Sequence, residues 1–87
     1  MSYIKDPDSV LDYAIDWSAW LDTDTITDSD WTATDGITVD SNTFTDTVST
    51  VWLSGGTAGD TYTVTCHITT AAGRQDARSI KIKCKER

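Results

Sequence analysis

The sequence predicts an all-β fold, a single antiparallel β-sandwich of about seven short strands forming one domain over residues 1–87. Tyr62, Val64, Cys66 and Ile68 alternate with Thr63, Thr65, His67 and Thr69, and Ile80, Ile82 and Cys84 alternate with Lys81, Lys83 and Lys85. Successive side chains on a strand point to opposite faces, so each run reads as a strand buried on one side. Between them Ala71-Ala72-Gly73-Arg74 is a short Gly-bearing connection that closes a hairpin, with Thr70 ending its first strand. Turn signals recur at short intervals along the rest of the chain, as in an antiparallel sandwich.

From the start, Ser2 to Lys5 is a short strand or an arm. Asp6-Pro7-Asp8 breaks the chain, because Pro7 fixes φ and biases Asp6 away from helix. The next segment fits two periods. Tyr13, Ile15 and Trp17 alternate as in a strand, while Val10, Ala14, Trp17 and Leu21 fit a helix. Asp22-Thr23-Asp24 is a turn. Thr25 to Thr34 is a strand, with a bulge or break at Asp28-Ser29-Asp30, and Asp35-Gly36 is a strong turn signal. Ile37 to Asp40 is a strand, Ser41-Asn42 a turn, and Phe44 to Asp46 a short edge strand. Val48 to Leu53 follows as a fuller strand, with Trp52 on the face opposite Val51 and Leu53. Ser54 to Gly59 is a hairpin loop whose glycines supply positive φ. Gly59-Asp60-Thr61-Tyr62 is similar to the tyrosine corner of such sandwiches, although Tyr62 stands four residues before Cys66 rather than two.

A chain this short buries only about 60% of its unfolded surface. Its four tryptophans, Trp17, Trp20, Trp31 and Trp52, offset that. Two or three are expected in the core, with Trp52 or Trp20 partly exposed. The start MSYIKDPDSV has no apolar segment of the secretory kind, and no run approaches the ~20 apolar residues of a membrane span. No membrane association is expected. Hairpin partners whose numbers sum to about 148 would put Cys66 opposite Ile82 and Cys84 opposite Val64. The two thiols would then be diagonal at about 7–8 Å, long for a bridge, and are expected as small buried hydrophobes.

The formal net charge is −7, and it is unevenly spread. Twelve of thirteen Asp lie at or before Asp60, and six of seven basic residues lie at or after Arg74. An acidic body argues against nucleic acid, which needs a basic footprint. Lys81, Lys83 and Lys85 read as a solvated strand face, as guards against edge-to-edge pairing, or as the contact of one copy with an acidic loop of the next. No catalytic constellation stands out: the single histidine, His67, is mid-strand on the polar face with no nucleophile motif beside it. Asp22, Asp24, Asp28 and Asp30 are oxygen ligands of the type Ca²⁺ takes, but the Gly and terminal Glu of an EF-hand loop are not in register. No metal and no cofactor are expected.

Three segments together resemble a known family. They are Val51-Trp52-Leu53-Ser54-Gly55-Gly56-Thr57-Ala58-Gly59, then Tyr62-Thr63-Val64-Thr65, then Ile68-Thr69-Thr70-Ala71-Ala72-Gly73-Arg74. Lys5-Asp6-Pro7-Asp8, Leu11-Asp12-Tyr13, Asp16-Trp17-Ser18-Ala19-Trp20-Leu21 and the Glu86-Arg87 ending add to the match. The chain resembles the fiber-tail adaptors of tailed bacteriophages, small virion proteins with an immunoglobulin-like fold. The resemblance selects the strand reading for Leu11 to Trp17, followed by a tight turn whose Trp20 and Leu21 plug the bottom of the sandwich. It implies a non-enzymatic structural component of a phage or prophage particle, assembled in the host bacterial cytoplasm. The implied partners are tail or neck proteins and fibre proteins, with a homo-oligomer on the particle as the natural setting. Trp52, Ser54, Gly55, Gly56, Lys81, Lys83 and Lys85 are the expected contact residues. A capsid decoration protein and a carbohydrate-binding adhesion module stand as alternatives.

Overall fold

Strand alternation and one helical turn account for most of the chain. The computed structural model describes residues 2–85. Glu86 and Arg87, quoted above for the resemblance, lie outside the described residues. The elements are β1 (Ser2–Lys5), β2 (Leu11–Asp16), α1 (Ser18–Leu21), β3 (Ile26–Ala33), β4 (Ile37–Phe44), β5 (Val48–Gly55), β6 (Thr61–Thr70) and β7 (Gln75–Cys84). They form two sheets, ordered β1-β7-β6-β3 and β2-β5-β4. Neighbours run antiparallel, except that β1 lies parallel to β7, with Ser2 opposite Lys81 and Lys5 opposite Cys84. Lettering β2 to β7 as B to G gives sheets G-F-C and B-E-D, with the first strand added at the G edge. That is an immunoglobulin-like sandwich.

The inward positions of each strand build the core between the sheets. Val51, Leu53, Val64, Ile68, Ile80 and Ile82 are wholly buried. Each contributes about 1.5–3 kcal/mol by leaving water. Trp17 is also fully covered, and the Arg78 guanidinium lies 4.4 Å from its ring centre. A small polar group is sealed among these residues. Ser49 accepts hydrogen bonds from the Trp31 indole at 3.0 Å and the Cys66 thiol at 3.3 Å. Its own proton is then left for the neighbouring Ser29 hydroxyl. Burial pushes the Cys66 thiol up, so it stays protonated, as this donor role requires.

Four expectations need correction. First, the β6–β7 partners sum to 144, not 148: Val64 faces Ile80 and Cys66 faces Arg78. The Thr70–Arg74 turn is tight, closed by the Thr70 amide on the Arg74 carbonyl at 2.9 Å, so β7 begins at once with Gln75. Cys66 therefore sits six residues up the hairpin from Cys84, roughly 20 Å at strand rise, and both thiols are free. Second, Ser41-Asn42 is not a turn. β4 runs through it, with a register shift between Val39 and Ser41, and the reversal comes at Thr45–Thr47, where the Thr45 hydroxyl accepts from the Val48 amide at 3.1 Å. Third, the irregularity in β3 falls between Ile26 and Asp28, which leaves Ser29 facing inward. Fourth, Ser54 and Gly55 belong to β5, paired with Thr38 and Ile37, so the loop starts only at Gly56, and it closes no hairpin but crosses from β5 of one sheet to β6 of the other.

The tyrosine corner is present. The Tyr62 hydroxyl accepts the Thr57 amide at 2.9 Å, and its ring packs against Gly36 and Gly56. A Cβ on Gly36 would come within 2.7 Å of that ring, and one on Gly56 within 2.3 Å of the Cys84 sulfur. Both residues have positive φ, 106° and 98°. Gly56→Ala is expected to cost about 2–4 kcal/mol through left-handed strain plus overpacking. Tyr62→Phe, which removes only the hydroxyl, should cost about 1 kcal/mol. Urea unfolding of both variants checks this, and a Gly56→Ala loss under about 0.5 kcal/mol would contradict the packing described.

Candidate functional site

The alternation that buries one side of each strand leaves two broad outer faces, and their chemistry differs. On the first sheet, Lys81 and Lys83 project from β7 between the buried Ile80, Ile82 and Cys84, and Lys85 follows just past its end. The next strand inward shows threonines, with Thr65 hydrogen-bonded to Ser79 at 2.8 Å. β3 closes the far side with Asp28 and Asp30, the latter opposite the exposed His67. Charge therefore runs from basic at the β1–β7 edge to acidic at β3. Ile4 is 45% exposed beside Lys83. With Tyr3, Thr61, Lys81 and Lys83 it lines an open groove of about 320 Å³.

On the second sheet Trp52 is 40% exposed at the centre of β5. Asp12 of β2 stands opposite it on one side and Ser41 of β4 on the other. Asp16 shares the Asp12 side of β2, and the Ser54 hydroxyl donates to Asp40 at 2.9 Å. This face has an indole in an acidic surround.

The structure thus splits the expected contact residues. Lys81, Lys83 and Lys85 lie together on one face, and Trp52 and Ser54 on the opposite one. Gly55 ends β5 and offers its carbonyl to Lys5, while Gly56 is packed beneath Tyr62 and Cys84. The roles these two glycines play in the structure are conformational. Trp20 is half-buried, which makes Trp52 the tryptophan with the most exposed ring.

Sequence reasoning missed three features. Lys5 is wholly buried, its ammonium donating to the carbonyls of Asp6 and Gly55, both at 2.8 Å. The available signal was parity, since Lys5 alternates with Ile4 and shares the side of Tyr3. The acidic surround of Trp52 depends on the β2–β5 register, which no local pattern encodes. The third feature ties the bottom of the sandwich together. Asp24 accepts the amides of Thr25 at 2.9 Å and Ala72 at 3.1 Å, and pairs with Arg74 at 3.1 Å. Arg74 also donates to the Leu21 carbonyl and lies 4.3 Å over the Trp20 ring. Asp24, one of the residues weighed above for calcium, thus has its oxygens committed to the turn.

A family model matches residues 5–83, nearly the whole chain. It describes the Gp77 family, the podophage GP4 fiber-tail adaptor protein gp77. The chain belongs to this family. A comparison with the curated proteins finds no match. The fiber-tail adaptor family is a structural one, not a class of enzymes, and its name marks the chain as a virion component that binds phage tail and fibre proteins. In such a role the outer faces, rather than a cleft, are the surfaces to consider.

The Thr70 hydroxyl first, then the Thr25 amide, Arg74 and the Ala72 amide, hold the Asp24 carboxyl down to about 2 against burial, below its ordinary 3.8. A carboxyl depressed in the folded state stabilises the fold above its unfolded pKa and loses that contribution as pH falls through the folded one. Asp24→Asn is therefore expected to be less stable than wild type at pH 6, with the gap closing between about pH 4 and pH 2. Urea midpoints across that range test it. A gap that stays constant down to pH 2 would show that the ionised carboxylate is not what holds the turn.

Proposed function

We propose that this domain is a protein–protein adaptor that joins neck or tail components to the fibre base of a short-tailed phage or prophage particle, and that it is assembled there in the host cytoplasm. It docks through its two outer faces. Trp52, with Ser54 beside it, anchors one contact, and Lys81, Lys83 and Lys85 form the other. The observation that carries this reading is the family match across residues 5–83, joined to a Trp at the centre of a largely hydrophilic sheet face. Buried aromatic anchors dominate protein interfaces, while peripheral lysines set orientation and encounter rate. Glycan binding is the weaker alternative, because a sugar platform needs coplanar aromatics and Trp52 has Asp12 and Ser41 as its cross-strand neighbours.

Quantitative mass spectrometry of purified particles tests the proposal. A copy number of one tail ring supports the adaptor role. A copy number close to that of the major capsid protein would move the assignment to capsid decoration, and absence from particles would end both. In particles assembled with Trp52→Ala in place of the wild-type chain, fibre occupancy should fall at least tenfold, while the isolated variant unfolds within about 0.5 kcal/mol of wild type, as expected for an exposed site.

A further inference from the structure

The two outer faces complement each other, and every copy of the chain carries both. We propose that a second copy of this chain docks head to tail, the acidic face of one copy receiving the basic β1–β7 face of the next. This rests on reading the outer faces as docking surfaces, and it names the occupant of each.

Three observations lead there. The charges match in sign and spacing: Lys81 and Lys85 stand four residues apart along β7 and its end, Asp12 and Asp16 four residues apart on β2, and all four are exposed. At strand rise both separations are roughly 13–14 Å. Each face also has an apolar feature where the other has its counterpart. Trp52 projects from the acidic face, and the groove walled by Ile4, Thr61, Lys81 and Lys83 opens on the basic one. Lysine stems can cover an indole while their ammonium groups reach outward to carboxylates. Finally, a like-to-like pairing is opposed. Two acidic faces would set Asp12, Asp16 and Asp40 against their own copies, and two β1–β7 edges would do the same with the lysines.

The contact is therefore heterologous, and such contacts propagate into a ring or an open string. Its two halves lie on opposite sides of one sandwich, so any closed ring contains many copies. The molecule measures 41 × 20 × 17 Å between Cα extremes. A whole face of that size only just reaches the roughly 800 Å² per partner of a standard interface, and the basic β1–β7 part of it covers less. Each contact is correspondingly weak alone and dependent on salt.

Sedimentation analysis of the full chain tests this. Wild type is expected to associate at low ionic strength, with affinity falling at least tenfold between about 0.02 and 0.3 M salt as the charges are screened. Trp52→Ala and the double variant Lys81→Glu/Lys83→Glu should each be monomeric. Mixed, they should form a 1:1 dimer and nothing larger, because each retains the face the other lacks. Zero-length carbodiimide coupling of mixed isotope-labelled and unlabelled wild type gives a second readout. It should join Lys81 or Lys83 of one copy to Asp12, Asp16 or Asp40 of another. A wild type that stays monomeric at low salt, variants that still self-associate, or a mixture that does not pair would each overturn the proposal. A monomeric chain that is still found in particles would leave the adaptor role standing with a different protein on these faces. A self-associating chain absent from particles would do the reverse.

Discussion

The turn from Thr70 to Arg74 sets the register of β6 against β7, and most of the surface chemistry follows from that register. Because Val64 faces Ile80, the even-numbered residues of β7 point into the sandwich and Lys81, Lys83 and Lys85 point out. The same turn brings Arg74 to Asp24 and Trp20, and places Arg78 against the Trp17 ring. One local closure thus fixes a core, a basic stripe and the seal at the bottom of the domain. A register shifted by one residue would send the isoleucines to solvent and the lysines inward.

This explains why the fold was legible in the sequence while some of its pairings were not. The expected β6–β7 register is displaced by four positions, an even number, so every side chain keeps its face and only the partners change. Period-two alternation encodes the face, whereas turn geometry encodes the partner. The first half of β7, Gln75 to Ser79, has no apolar alternation. Its inward positions are Asp76 and Arg78, and Arg78 covers Trp17 by lying over the ring, a contact that hydropathy patterns do not register. At Ser41-Asn42 the residues are good turn formers, yet pairing with Trp52 and Val51 keeps them in a strand. Tertiary pairing outweighs local preference there.

The chemistry of the outer faces was only partly legible for the same reason. The lysine stripe is local, one residue in two along a single strand, and it shows in the sequence. The acidic surround of Trp52 is built from β2, β4 and β5, and exists only once those strands are side by side. Burial of Lys5 is likewise a tertiary fact. An ammonium taken out of water is costly, and here the carbonyls of Asp6 and Gly55 replace its hydration. The side chain thereby links the first strand of one sheet to the last residue of β5 in the other.

The parallel pairing of β1 with β7 has a mechanical consequence. The chain enters at the Ser2 end of β1 and leaves at the Cys84 end of β7, and these are opposite ends of the paired segment. Tension along the chain slides the two strands past each other, so the bonds between them bear the load together. In an antiparallel hairpin pulled from its open end those bonds would break in succession. Lys5, pinned through its ammonium to the Gly55 carbonyl, sits at the end of β1 nearest the exit and resists the same sliding. The strand that adds least to the core is the one placed to carry a pull.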